Sequence, residues 1–94
     1  MTSQEILTAA IQAQADRAAS RDLPDGERSM KRCVEAFNIL EGTSLTEAQG
    51  WRFMAVLKMA RATAGGFNLD DYVDGASYVA LAGEAAGSEH EVIE

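Results

Sequence analysis

Residues 58–78 read KMARATAGGFNLDDYVDGASY, and this stretch decides the fold of the chain. Lys58 and Arg61 lie three residues apart, which places them on one stripe of a helix. A pair of glycines then breaks the helical pattern, and Asp71 and Asp74 repeat the same spacing beyond it. The stretch therefore predicts two helices joined by a short turn, with two cations on the first helix and two carboxylates on the second.

The rest of the chain is also typical of helices. Apolar residues recur at helical spacing and proline occurs once, which favours an all-α fold. Capping boxes at Thr2-x-x-Glu5 and Ser44-x-x-Glu47 indicate two helix starts, and the apolar run 53–57 predicts that the third helix is central and buried on most sides. The predicted helices span residues 3–19, 26–41, 45–64 and 68–86. We expect a four-helix bundle forming a single domain over residues 1–86, followed by a flexible acidic tail over residues 87–94.

Charge is distributed unevenly along the chain. Its 94 residues have a formal net charge of −7, yet residues 1–61 contain eight bases and eight acids, whereas residues 62–94 contain seven acids and no base. Because binding to DNA or RNA requires a basic surface, this balance argues against nucleic acid as the main ligand. Acidity at one end is also common in proteins for solubility alone.

The remaining composition bears on compartment and stability. Cys33 is the only cysteine, so an intrachain disulfide is excluded, and no segment resembles a secretory signal or a membrane span. We therefore expect a cytoplasmic protein with no membrane partner. A chain of this length buries only about 60–65% of its unfolded surface. A partner subunit would stabilise it, and we expect a homo-oligomer.

The two aspartates of the fourth helix have two alternative interpretations. Asp71-x-x-Asp74 can share a divalent cation such as Mg²⁺, because hard cations accept one or two carboxylates and complete their shell with water or phosphate. Acids in a first helical turn also stabilise the helix dipole without any ligand. Asp74 lies past that turn, and a buried carboxylate there must be paired, with Lys58 and Arg61 as the expected partners. The four charges form either a structural ion-pair cluster or a phosphate clamp that faces metal ligands.

Other candidate residues also have a structural alternative. Tyr78 and Trp51 can stack on a nucleobase, or they can fill the core or an interface. Glu27, Lys31 and Glu35 recur every four residues on the second helix. They form either surface ion pairs or a second carboxylate set that faces the aspartates of the fourth helix.

The order of these motifs resembles a family of small uncharacterised phage and prophage proteins over residues 5–85. The matching pieces are Asp16-Arg17, Glu27-Arg-Ser-Met-Lys-Arg-Cys-Val34, Lys58-x-x-Arg61 and Asp71-Tyr-Val-Asp-Gly-Ala-Ser-Tyr78. That family is in turn similar to the MazG-like all-α nucleoside triphosphate pyrophosphohydrolases. Those enzymes are four-helix folds that assemble as dimers or tetramers.

The MazG-like enzymes carry a Glu-Glu-x-x-Glu helix and a later Glu-x-x-Asp helix, whose acids hold Mg²⁺ while water attacks the phosphoanhydride. Asp71-x-x-Asp74 lies where the second motif would be, whereas no Glu-Glu-x-x-Glu sequence occurs in this chain. The second helix offers only Glu27 and Glu35 with Lys31 between them.

The resemblance implies a protein that binds or hydrolyses a nucleoside triphosphate with Mg²⁺. The implied roles are metal binding by Asp71 and Asp74, catalysis by these two together with Glu27, phosphate binding by Lys58 and Arg61, and base binding by Tyr78 or Trp51. The alternative is a non-enzymatic phage protein that uses the helical bundle to bind a host protein. The missing first motif and the acidic final third of the chain favour that alternative.

Overall fold

The computed structural model describes residues 1–20 and 29–93, and it shows four α-helices and no strand within them. The helices are α1 (Ser3–Ser20), α2 (Ser29–Glu41), α3 (Glu47–Ala62) and α4 (Leu69–Ile93). The predicted all-α four-helix bundle is confirmed. The predicted loop after α1 and the predicted start of the second helix lie outside the described residues. Within the described ranges, no helix combines the length and apolar character that crossing a membrane would require.

The helices pack in the spatial order α1, α4, α3, α2. α4 contacts α3 along its length and α1 on another side, while α2 packs on α3. The core lies mainly between α3 and α4, where Ala48 and Trp51 meet Leu81, Ala82 and Ala85. α4 therefore holds the two halves of the bundle together.

The apolar run of α3 is not buried on most sides, which corrects the prediction for residues 53–57. Ala48, Trp51 and Ala55 form the buried face, but Phe53 and Val56 point to solvent. Two neighbouring helices cover only one side of α3, so an apolar sequence does not by itself mean an enclosed helix.

The predicted capping box at Ser44-x-x-Glu47 is wrong, because α3 begins two residues later than that box requires. Thr46 is the N-cap: its hydroxyl accepts a hydrogen bond from the Gln49 N–H at 3.1 Å, and Gln49 Oε1 accepts one from the Thr46 N–H at 2.8 Å. The Asn38 side chain holds the preceding loop, accepting from the Leu45 N–H and donating to the Leu45 carbonyl, each at 2.9 Å. This clamp keeps the chain non-helical as far as Leu45.

The C-terminal segment is helical, although the sequence predicted that the fourth helix ends near residue 86. α4 continues to Ile93. Ala85 is buried, and Glu89 Oε1 accepts a hydrogen bond from the Ala48 N–H at 3.1 Å. That N–H belongs to the first turn of α3, which has no partner within its own helix. Contact with α3 thus keeps α4 helical beyond residue 86, in the segment that the sequence predicted to be a flexible tail.

Candidate functional site

Asp74 is the centre of an ion-pair cluster that joins three helices. Its Oδ2 lies 3.0 Å from Lys58 Nζ on α3, and its Oδ1 lies 2.9 Å from Arg17 Nη2 on α1. The side chains of Lys58, Asp74 and Arg17 are 14%, 19% and 34% exposed, respectively. The predicted pairing with Lys58 is confirmed, whereas the predicted pairing with Arg61 is wrong. Each oxygen of the Asp74 carboxylate already faces one cation.

The cluster continues into an aromatic stack. The Arg17 guanidinium carbon lies 5.8 Å from the centroid of the Tyr78 ring, and Tyr78 stacks on Trp51 with centroids 5.7 Å apart. Trp51 is 4% exposed, and its indole N–H donates to Glu47 Oε2 at 3.3 Å. This geometry matches the structural alternative stated for the two rings. Base binding by Tyr78 or Trp51 stays a prediction that requires one of these covered faces to open.

Sequence reasoning missed the residues by which α1 contributes to this region. Gln14 donates a hydrogen bond to Ser77 Oγ at 2.9 Å, one turn along α1 from the Arg17–Asp74 pair. Ser77 is fully buried. The sequence did contain a signal, because α1 and α4 each carry two polar residues three apart on the inward face. A single sequence, however, does not show that the pair on α1 contacts the pair on α4.

Asp71 lies one turn before Asp74 and has the opposite surroundings. It is only 5% exposed, yet no described residue donates a hydrogen bond to its carboxylate or pairs with it within 4 Å. No fully buried side-chain oxygen or nitrogen among the described residues lacks a partner. The Asp71 oxygens therefore keep a small exposed area, and Asp71 is one of the residues that line a cavity.

This cavity, which we call the junction pocket, lies between the end of α3 and the start of α4. Its volume is about 250 Å³, and it is lined by Arg61, Ala64, Gly66, Asn68 and Asp71.

The junction pocket offers groups of both charges. Arg61 lies in the last turn of α3, and Asp71 lies in the first turn of α4. Asn68 Oδ1 accepts a hydrogen bond from the Asp70 N–H at 3.0 Å and so caps α4. The N-terminus of a helix favours negative charge. The pocket can thus receive a cation at Asp71 and an anion near Arg61.

Residues 5–86 match a protein family described as a domain of unknown function, DUF6378. The chain belongs to the DUF6378 family. The matched range includes the Asp74 cluster, the aromatic stack and the junction pocket. Comparison of this DUF6378 chain with curated proteins and with solved structures finds no match.

The carboxylates predicted on the second helix do not join the aspartates of this DUF6378 domain. Glu27 lies outside the described residues, so its catalytic role stays a prediction. Glu35 lines a separate groove with Glu84, and Glu84 follows Asp71 by 13 residues on α4, or about 20 Å. The functional alternative in which Glu35 faces Asp71 is therefore wrong.

The groove that contains Glu35, which we call the acidic groove, has a volume of about 580 Å³. It lies between α2, the start of α3 and the C-terminal half of α4. Its charged lining residues are Lys31, Glu35, Glu47, Glu84 and Glu89. The described residues nevertheless contain no group of three or more acidic, histidine or cysteine side chains placed to hold a metal ion.

Proposed function

We propose that this DUF6378 domain binds a nucleoside triphosphate together with Mg²⁺ at the junction pocket. The observation that carries the proposal is the buried, unpaired carboxylate of Asp71 opening on a cavity that Arg61 also lines. The choice of a triphosphate rests on the resemblance to phage proteins and to the MazG-like pyrophosphohydrolases. Such a ligand also fits the cytoplasmic location expected from the sequence, in a host cell if a phage encodes the protein.

The chemistry of Asp71 suits a metal that a phosphate ligand shares. A buried carboxylate without a partner is unfavourable, and a bound cation would compensate it. Mg²⁺ is usually held by one or two carboxylates together with water and substrate phosphates. In this proposal, Asp71 supplies the one protein carboxylate and the triphosphate supplies the remaining charged ligands.

The phosphate groups have two favourable contacts in the pocket. Arg61 is exposed at the end of α3 and can form paired hydrogen bonds with phosphate oxygens. The start of α4 adds the positive end of a helix dipole. Asp74 and Lys58 form an ion pair with each other, so we assign both residues to the stability of the fold and not to ligand binding.

We propose that the pocket binds the triphosphate without hydrolysing it. Hydrolysis requires more carboxylates than the pocket holds among the described residues. Glu27 is the candidate for a further acid, and its contribution is a separate question. Calorimetric titration of the protein with common and modified triphosphates, in the presence of Mg²⁺, tests the binding. We expect the wild type to bind, Asp71→Asn to lose the Mg²⁺-dependent part, and Arg61→Gln to bind more weakly.

Asp70→Asn is the matched control for the calorimetric test, because Asp70 is the adjacent acid in the same helical turn but is exposed. It should bind like the wild type. An absence of binding across the panel would contradict the proposal, and so would an equal loss in the Asp70 and Asp71 variants.

We also propose that a second copy of this chain covers the outward face of α3. Phe53, Val56, Leu57 and Ala60 are all exposed and follow one stripe of that helix.

The charge distribution favours this face for self-association, because residues 1–61 have no net charge and two acidic α4 surfaces would repel each other. Sedimentation equilibrium should give a mass above that of the monomer for the wild type and the monomer mass for Phe53→Glu. Val79→Glu, which changes an exposed residue of α4, is the control. A monomeric wild type would contradict this part of the proposal.

The second candidate function is the binding of a partner protein, such as a host protein, without catalysis. The acidic groove favours it, since four glutamates and one lysine line that groove and would attract a basic segment. A pull-down should then recover a stoichiometric partner with the wild type and with Asp71→Asn but not with Glu35→Lys. Recovery of no stoichiometric partner would count against this candidate.

A further inference from the structure

A second aromatic pair lies at the junction between α3 and α4. Phe67 and Tyr72 stack with ring centroids 5.8 Å apart and planes 21° apart. Phe67 is 78% exposed and Tyr72 is 40% exposed. A pair this exposed contributes little to the core, so core packing does not account for it.

Both residues of the pair are neighbours, along the chain, of residues that line the junction pocket. Phe67 lies between Gly66 and Asn68, which both line the pocket, and Tyr72 directly follows Asp71. Turn residues are usually small or polar, because glycine, asparagine, aspartate and serine satisfy the backbone of a turn. A phenylalanine in this turn therefore has no explanation in turn chemistry.

We propose that Phe67, supported by Tyr72, forms the platform on which the base of the bound nucleotide stacks. This inference rests on the proposed function and deepens it, because it places the base beside a triphosphate held by Asp71 and Arg61. Tyr72 stacks on one face of the Phe67 ring, and the Phe67 side of the pair stays 78% exposed.

The Phe67–Tyr72 pair is more accessible to a base than Trp51, one of the rings first expected to bind it. Trp51 is buried, and Tyr78 has Trp51 and the Arg17 guanidinium close to its ring. Stacking of a base there would require the core to open. A flat hydrocarbon ring stacks on every base, so the Phe67 platform adds affinity with little selection among bases.

Calorimetry with two ligands separates this inference from the proposed function. Mg²⁺-tripolyphosphate has the phosphates without a base, and Mg²⁺-ATP has both. We expect ATP to bind the wild type about 5- to 100-fold more tightly than tripolyphosphate, in line with stacking of one base. Phe67→Ala should remove that difference and leave the tripolyphosphate affinity unchanged.

Two further variants complete the test. Phe67→Tyr keeps a flat ring and should retain the difference, and Phe37→Ala removes an exposed aromatic side chain on α2 and should have no effect. The inference is overturned if Phe67→Ala binds ATP as the wild type does, or if ATP and tripolyphosphate bind equally well. Binding of neither ligand would overturn the proposed function and this inference with it.

Discussion

Asp71 and Asp74 lie one turn apart on α4, and their surroundings differ in the one respect that matters for function. Asp74 has a cation at each carboxylate oxygen, whereas Asp71 has no partner among the described residues and faces a cavity. Burial is therefore a poor guide to function by itself. A satisfied, half-buried charge such as Asp74 holds helices together, while an unsatisfied buried one next to a cavity, such as Asp71, is available to a ligand.

The largest expected effect comes from removing the satisfied charge. Asp74→Ala leaves Lys58 and Arg17 without this partner, and we expect the free energy of unfolding to fall by about 2–3 kcal/mol. This is less than for a fully enclosed pair, because these side chains keep some contact with water. The midpoint of thermal unfolding should fall by roughly 8–24 °C.

Charge neutralisation provides the control for Asp74→Ala. The double variant Asp74→Ala with Lys58→Met removes one stranded cation and should recover part of the lost stability. The decrease in the unfolding midpoint of Asp74→Ala should also be the same with and without Mg²⁺. A midpoint for Asp74→Ala equal to that of the wild type would show that the cluster does not stabilise the fold.

A smaller and more local effect should follow when the α1 arm of the cluster is removed. Arg17→Gln loses the contacts of the guanidinium with Asp74 and with the Tyr78 ring, at a cost of about 1 kcal/mol. Because Arg17 is one of the side chains that tie α1 to α4, amide hydrogen exchange should accelerate in α1 more than in α3. Arg32→Gln, at an exposed position of α2, should leave both helices unchanged. Equal acceleration in α1 and α3 would contradict this assignment.

Removing the unsatisfied charge should change stability least of the three. Asp71→Asn loses no ion pair, and the helix dipole contributes only about 0.3–1 kcal/mol at that position. Relief of an unpaired buried carboxylate offsets this, so we expect the unfolding free energy without Mg²⁺ to equal or exceed that of the wild type. Denaturant unfolding measures it. A loss as large as that of Asp74→Ala would mean that the two aspartates have the same role.

The smallest effect concerns Glu5, which serves as a reference carboxylate outside both regions. The predicted capping box is confirmed: the Thr2 N–H donates to Glu5 Oε1 at 3.0 Å, and the Glu5 N–H donates to Thr2 Oγ1 at 3.2 Å. These hydrogen bonds, the backbone one first, lower the pKa of Glu5 below its ordinary value.

A group whose pKa is lower in the folded state stabilises the fold above its unfolded pKa, and this contribution disappears as the pH falls through the folded pKa. At neutral pH, Glu5→Gln should therefore be slightly less stable than the wild type. On acidification below about pH 4.5, the variant should lose less stability than the wild type does. Unfolding curves between neutral and acidic pH measure this difference. Identical pH dependence in the two proteins would contradict it.

The sequence predicts the helices because they depend on local spacing. It predicts the Lys58–Asp74 pair for a different reason, since a buried carboxylate past the first helical turn must have a partner. The sequence offers Arg61 as a second partner because it shares a stripe with Lys58, but Arg61 lies in the last turn of α3 beside the pocket. Arg17 is 57 residues from Asp74, and no periodic pattern reports a contact of that kind.

Exposure explains the other differences between prediction and structure. Neighbouring helices decide which faces of α3 and which aromatic side chains are covered. No local feature of the sequence indicates these contacts. The sequence leaves open whether Trp51 binds a base or fills the core, and the structure shows that it is buried, whereas Phe67 is exposed. The sequence distinguishes Asp71, in the first turn of the helix, from Asp74 beyond it, but it does not indicate that Asp71 is also buried.

The most direct test of the contrast between the two aspartates is amide NMR of the ¹⁵N-labelled protein during addition of Mn²⁺ and triphosphate, since Mn²⁺ accepts the same oxygen ligands as Mg²⁺ and broadens nearby signals. We expect the first signals to broaden to be those of residues 66–72, around the junction pocket, and we expect Asp71→Asn to prevent this broadening. Broadening that begins around Glu84 and Glu89 in the acidic groove, or that persists in Asp71→Asn, would show that Asp71 is not the metal ligand.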